Sequence, residues 1–299
     1  MPSLPICRIA LFCAQLLIIF SLAGCGTWLH SDFKRASDLA AQGALSYQPV
    51  LSPPFVLATW RRTSKDQTVN SISGINLTVY IEGDGAAWIN RSQISPDPTP
   101  SNPVALKLAV IDAKINSGRQ VLYLARPCQF VSFSENPSCN SFYWSSGRYS
   151  EAVISSMNMV ISLAAKEIGA HNIDLVGYSG GAAAALLIAA RRHDVSSIRT
   201  VAGNIDPEGL NKIQGVLALS GSLNPRAHIK ALSKIPQIYW IGNNDPLITS
   251  SFTRAMLKQI SSTCIVMAEL PGVGHAAGWD TVWPRLLSTP IPSRISCSN

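Results

Sequence analysis

The chain has 299 residues, 47% of them hydrophobic and 14% charged, which is enough apolar material for one sizeable α/β domain, and no internal repeat or low-complexity tract interrupts it. Its formal charge of +7 is scattered, with only short pairs such as Arg61-Arg62 and Arg191-Arg192. Without a basic stripe or a recognition motif, a nucleic-acid partner is excluded and only mild attraction to anionic surfaces remains.

At the N-terminus, Arg8 closes a short n-region, IALFCAQLLIIFSLA forms an apolar run too short for a comfortable membrane span, and LAGC follows at Leu22 to Cys25. This stretch resembles a bacterial lipoprotein signal with its lipobox; an uncleaved anchor helix is the competing reading. The resemblance implies loss of residues 1–24 as a signal peptide and a mature chain that starts at a lipid-modified, palmitate-bearing Cys25. It also implies a membrane partner through the lipid anchor, in the bacterial cell envelope. Gly26, rather than Asp, after the cysteine implies transfer to the outer membrane, facing periplasm or surface.

Of seven cysteines, Cys7 and Cys13 would leave with the signal and Cys25 would carry lipid. Cys128, Cys139, Cys264 and Cys297 remain, an even number in an exported chain, which predicts two disulfides. Three pairings exist; Cys128 with Cys139 is preferred because both lie in one irregular segment, leaving Cys264 with Cys297 to tie the C-terminal tail to a late strand. Neither pair has metal-ligand spacing, so no metal site is expected.

Residues 25–54 read as a tether containing a short helix in SDFKRASDLAAQG, and residues 55–299 as the domain. PFVLATWRR (54–62) and NLTVYIEG (76–83) are expected to pair as a hairpin. Then QVLYLA (120–125), NIDLVGY (172–178), SIRTVAG (197–203), PQIYWIG (236–242) and CIVMAEL (264–270) alternate with helical patterns at 104–118, 150–169, 180–192 and 249–261. Repeated strand and helix with both faces apolar predicts a mostly parallel sheet in a three-layer α/β domain. Two irregular segments, 86–103 and the aromatic-rich 126–149, follow strands at the edge where open α/β sheets bind ligands, so they are candidate pocket walls.

Gly177-Tyr178-Ser179-Gly180-Gly181 ends one apolar run and opens an alanine-rich one. A bare G-x-S-x-G is weak evidence, but here it occupies the strand-to-helix turn of a nucleophile elbow, where small neighbours let strand and helix approach. A serine hydroxyl needs a base and an orienting acid. WIGNNDPLIT supplies Asp245 after one strand and ELPGVGHAAGW supplies His275 after the next. Asp206 in GNIDPEG is the alternative acid, whereas His30, His171, His193 and His228 sit in the tether, at the wrong sheet edge, at a helix end or in an insert.

With elbow, acid and base in this order at strand ends, residues 55–288 resemble the α/β-hydrolase superfamily. The resemblance implies a fold of about eight strands with no large cap domain, and an exported serine hydrolase, in the first instance a carboxylesterase. It implies a triad of Ser179, Asp245 and His275, with the acid after the penultimate strand favouring Asp245 over Asp206. Oxyanion donors are expected from the Gly180 N–H and from the loop Glu82-Gly83-Asp84-Gly85, by Asp84 with Gly85 as the alternative. Glu82 departs from the histidine of the related esterase loops. That departure supports the competing reading, a non-catalytic scaffold that binds an envelope ligand or partner. No cofactor is called for, and the modest insertion between the strands near residues 201 and 236 points to a small acyl substrate.

Overall fold

The central apolar runs bury alternate side chains on opposite faces of one sheet. In the computed structural model, which describes residues 24–62, 75–216, 218–260, 262–293 and 297, this alternation sets the layers. The expected signal peptide lies outside these residues except for Gly24. The described residues begin with helix α1 (Gly24–Ala41), at whose first turn Cys25 falls.

Strands β1 (Ser46–Tyr47), β4 (Thr59–Arg61), β5 (Ile75–Ile81), β6 (Gln120–Leu124), β7 (Ala170–Tyr178), β8 (Val195–Val201), β9 (Gln237–Gly242) and β10 (Ile265–Leu270) form an eight-stranded sheet in the order β1-β4-β6-β5-β7-β8-β9-β10. β5 to β10 are mutually parallel, and β1 and β4 add an antiparallel edge. On one face Leu77, Val79 and Ile81 of β5, with Ile173 and Leu175 of β7, pack against α3 (Glu151–Ile168) and α4 (Gly180–Ala189). On the other, Tyr80, Tyr123, Val176 and Trp240 pack against α1, α2 (Val104–Ile115) and α8 (Trp279–Leu286).

Local sequence explains the helices. In α3, Val153, Met157, Val160, Ile161 and Ala164 recur at helical spacing and are buried, and the helix ends at Gly169, whose φ of 68° suits glycine at a C-cap. Every residue of α4 is buried, and its four consecutive alanines keep it slim enough to sit between the sheet and α3. Helix α7 (Ser250–Leu257) starts where the Thr249 hydroxyl accepts the Phe252 N–H at 3.2 Å. No helix among the described residues is long and apolar enough to cross a membrane.

Three expectations differ from the structure. The 54–62 run does not hairpin with 76–83. It splits into β3 (Phe55–Leu57), which pairs with β2 (Val50–Ser52) in a separate ribbon, and β4, which joins the sheet edge beside β6. β5 is buried on both faces and takes the centre between parallel β6 and β7, whereas the three-residue β4 lies antiparallel between β6 and the terminal strand β1. The segment expected to be a tether is packed from Phe33 onward. Ala36 and Ala40 are fully buried in the α1–α2 contact, and the Phe33 ring meets Tyr47 at 4.8 Å, because residues 33, 36 and 40 share one helix face. Helix α8, which no segment of the sequence reading anticipated, closes the second layer with Trp279 and Trp283. The insertion between β8 and β9 holds only α5 (Pro207–Gln214), a 3₁₀ turn and α6 (Ile229–Leu232), with no cap domain among the described residues.

Candidate active site

Between β5 and β7 the chain changes direction along the sheet: β6 lies on one side of β5 and β7 on the other. A crevice forms beyond strand C-termini at such a reversal. Ser179 sits there, directly after β7, with φ 49° and ψ −121°. A non-glycine residue held in this region costs roughly 1–3 kcal/mol and persists only where neighbours enforce it. The Ser179 N–H donates to Val201 O at 2.9 Å, and its carbonyl accepts from Asn204 N at 2.9 Å and Ala182 N at 3.1 Å. A Cβ on Gly181 would lie 2.3 Å from Ile81 O, so glycine there allows the elbow to press against the end of β5.

His275, in the loop after β10, places Nε2 3.0 Å from Ser179 Oγ and Nδ1 2.8 Å from Asp245 Oδ2. A carboxylate only accepts, so Nδ1 carries the proton and Nε2 offers its lone pair to the serine hydroxyl. Asp245 follows β9 with its side chain fully buried. Its other oxygen accepts the Leu247 and Ile248 N–H groups at 2.8 and 2.9 Å, which fixes the carboxylate plane. The structure thus brings Ser179, His275 and Asp245 into one hydrogen-bonded line. Asp206 is elsewhere: it caps α5 through the Gly209 N–H at 3.1 Å and pairs with Arg226 at 3.3 Å.

The loop after β5 lies against the elbow. Gly180 opens α4, so its N–H has no partner within the helix. On the facing side Gly83 lies so close that an added Cβ would meet Ser179 Cβ at 3.2 Å, and Asp84 follows. Gly85, with φ 66° and its Cα packed on Pro98 O, turns the chain away. Glu82 is buried beneath. Its Oε1 accepts Gly83 N–H at 2.9 Å and its Oε2 accepts the Tyr123 hydroxyl at 3.1 Å, so this residue ties the loop to β6. Burial pushes its carboxyl up to about 7.

Several participants escaped the sequence reading. The Asp84 carboxylate rests on the Gly180 Cα and is held by Arg126 at 3.1 Å, Arg148 at 3.3 Å and the Tyr149 hydroxyl at 3.3 Å. All three partners come from the 126–149 segment, whose aromatic and disulfide content had marked it only as a wall. Trp279 donates from Nε1 to the His275 carbonyl at 2.9 Å and steadies that loop. Cys128 is bonded to Cys139 and Cys264 to Cys297, with Cα separations of 5.7 and 4.9 Å.

Ser179 and His275 open into a cavity of about 550 Å³. Trp88 and Ile94 of the 86–103 segment, Ser145 and Arg148 of the 126–149 segment, and Leu210 and Leu219 of the β8–β9 insertion form its walls. Among the described residues, no cluster of His, Cys, Asp and Glu is arranged to hold a metal ion.

No protein-family model and no curated protein matches the sequence. Solved structures do. An α/β serine hydrolase homologue from Coxiella burnetii is 15% identical over 81% of this chain and 93% of its own, with a TM-score of 0.51. An esterase from Pyrococcus furiosus is 11% identical over 84% and 91%, with a TM-score of 0.53. An α/β serine hydrolase without lid from Xanthomonas campestris is 12% identical over 82% and 97%, with a TM-score of 0.50. At these identities the likeness is one of fold, and with the strand order it establishes that the chain has the α/β-hydrolase fold.

Proposed function

We propose that the protein is a serine hydrolase that cleaves carboxylic esters through an acyl-enzyme. The observation that carries this reading is the line Ser179–His275–Asp245, with contacts of 3.0 and 2.8 Å, at the mouth of an apolar-walled cavity. Ser179 Oγ attacks the ester carbonyl while His275 Nε2 takes its proton, and Asp245 steadies the imidazolium. The oxyanion is held by the Gly180 N–H and by the Asp84 N–H of the facing loop. Collapse expels the alcohol, protonated by His275. Water, deprotonated by the same nitrogen, then releases the acid and restores the serine. The cavity size suits a small or medium acyl group.

Fluorophosphonate labelling of the folded, oxidised protein tests this reading. The wild type is expected to label and Ser179→Ala to stay unlabelled; an unlabelled wild type leaves the non-catalytic scaffold as the remaining reading. We further propose export and lipid anchoring at Cys25, supported by the LAGC sequence and by two disulfides that require an oxidising compartment. Mass spectrometry of membrane-extracted protein is expected to find residues 1–24 missing and a diacylglycerol thioether on Cys25, and an intact N-terminus would disprove it.

A further inference from the structure

The hydrolytic steps use the backbone of Asp84 and leave its side-chain cluster unexplained. Two guanidinium groups, Arg126 and Arg148, share the single Asp84 carboxylate at 3.1 and 3.3 Å. Arg126 is turned inward, its head donating to the Arg148 carbonyl. Arg148 lines the cavity instead, although its residue is 9% exposed. Five N–H donors of a guanidinium want several acceptors. Arg148 has few: Asp84 Oδ2 at 3.3 Å, Asn211 Oδ1 at 3.5 Å and the Tyr149 side chain, through its hydroxyl and through its ring, whose centroid lies 5.6 Å away. Its Nε is buried with no hydrogen bond of good geometry.

Two cations against one anion leave one positive charge in a site walled by apolar side chains, where it is weakly screened. Among the described residues that line the cavity, Asp84 is the only acid, whereas Arg91 stands at its rim as a further cation. The position is close to the reacting atoms. The Asp84 carboxylate that Arg148 grips is packed on the Cα of Gly180, the residue after Ser179.

We propose that Arg148, with Asn211, forms an anion subsite, and that the preferred substrates are esters bearing a carboxylate within reach of the scissile carbonyl. This deepens the serine-hydrolase reading and rests on it. A single excess charge matches a monoanion, and the planar fork of a guanidinium matches a carboxylate. Apolar walls then take the rest of the substrate, so its character is amphiphilic.

The test compares kcat/KM for 4-nitrophenyl hydrogen glutarate with that for 4-nitrophenyl methyl glutarate, which has the same leaving group and chain but no charge. A second pair, the butyryl ester of 3-hydroxybenzoate and of its methyl ester, puts the charge on the alcohol side. Spontaneous hydrolysis is subtracted with Ser179→Ala protein. For the wild type, one pair is expected to favour the charged member by about tenfold or more, the worth of a charge-assisted hydrogen bond. Arg148→Gln should bring that ratio to near one, and Arg148→Lys, which keeps the charge without the fork, to an intermediate value. If Arg148→Gln fails to fold, the wild-type ratio and the lysine variant still decide. No preference for either charged ester, or a preference untouched by the Arg148 variants, overturns the subsite. Fluorophosphonate labelling in the same preparations separates the two levels. Labelled protein without charge preference removes the subsite alone, and unlabelled protein removes the hydrolase reading together with it.

Discussion

Glu82 shows how a single buried carboxyl positions a loop. It receives the Gly83 N–H and the Tyr123 hydroxyl while almost wholly out of water, and its carboxyl rises from the usual 4.5 to about 7. Between about pH 4.5 and about pH 7 the unfolded chain has lost this proton and the folded chain has kept it, so stability falls as pH rises across that window and levels off above it. The cost is on the order of 3 kcal/mol. Glu82→Gln keeps an acceptor for Gly83 and stays neutral. Urea unfolding from pH 5 to pH 8 should therefore show the wild type losing stability relative to this variant, and a constant difference would mean that the carboxyl titrates normally. The sequence showed Glu82 only as a departure from a histidine. What the residue does depends on Tyr123, 41 positions later, which no local pattern links to it.

At the scale of elements, β7, the elbow and α4 were legible because their signals are local: an apolar run, a glycine-flanked serine and a helix of alanines. The tight contact is not local, and it makes a sharp prediction. A Cβ at position 181 would meet two backbone oxygens, Ile81 O at 2.3 Å and Glu82 O at 2.5 Å, so Gly181→Ala must push the elbow off β5. We expect a stability loss of about 1–3 kcal/mol, read by thermal unfolding, and loss of fluorophosphonate labelling at Ser179. Gly118→Ala, where an added Cβ has no neighbour within 4 Å, should keep both. Normal labelling of Gly181→Ala would show that the close approach is unnecessary. The failed hairpin and the unanticipated α8 have the opposite origin. β4 has only three residues and α8 eight, with Pro284 inside it, so their placement comes from the layers they complete and not from their own periodicity.

For the whole molecule, the Cys264–Cys297 bond anchors the C-terminal end of the chain to the start of edge strand β10 across 33 residues. Closing a loop of that length removes unfolded-state entropy worth about 3–4 kcal/mol. The paired change Cys264→Ser with Cys297→Ser should lower the unfolding free energy by that order, measured by denaturant titration, and an unchanged midpoint would show that the tail contributes nothing. The sequence by itself determined the alternation of strand and helix, the elbow at Ser179, the strand-end placement of Asp245 and His275, and an even set of four cysteines for two disulfides, with the pairing left as a preference. These are properties of short segments and of their order along the chain. Only the tertiary structure decided that Asp245 and not Asp206 meets His275, that residues 33–54 belong to the packed domain, and that Arg126 and Arg148 converge on Asp84. Such contacts join residues tens of positions apart, and the parallel sheet brings them together by stacking strand ends side by side.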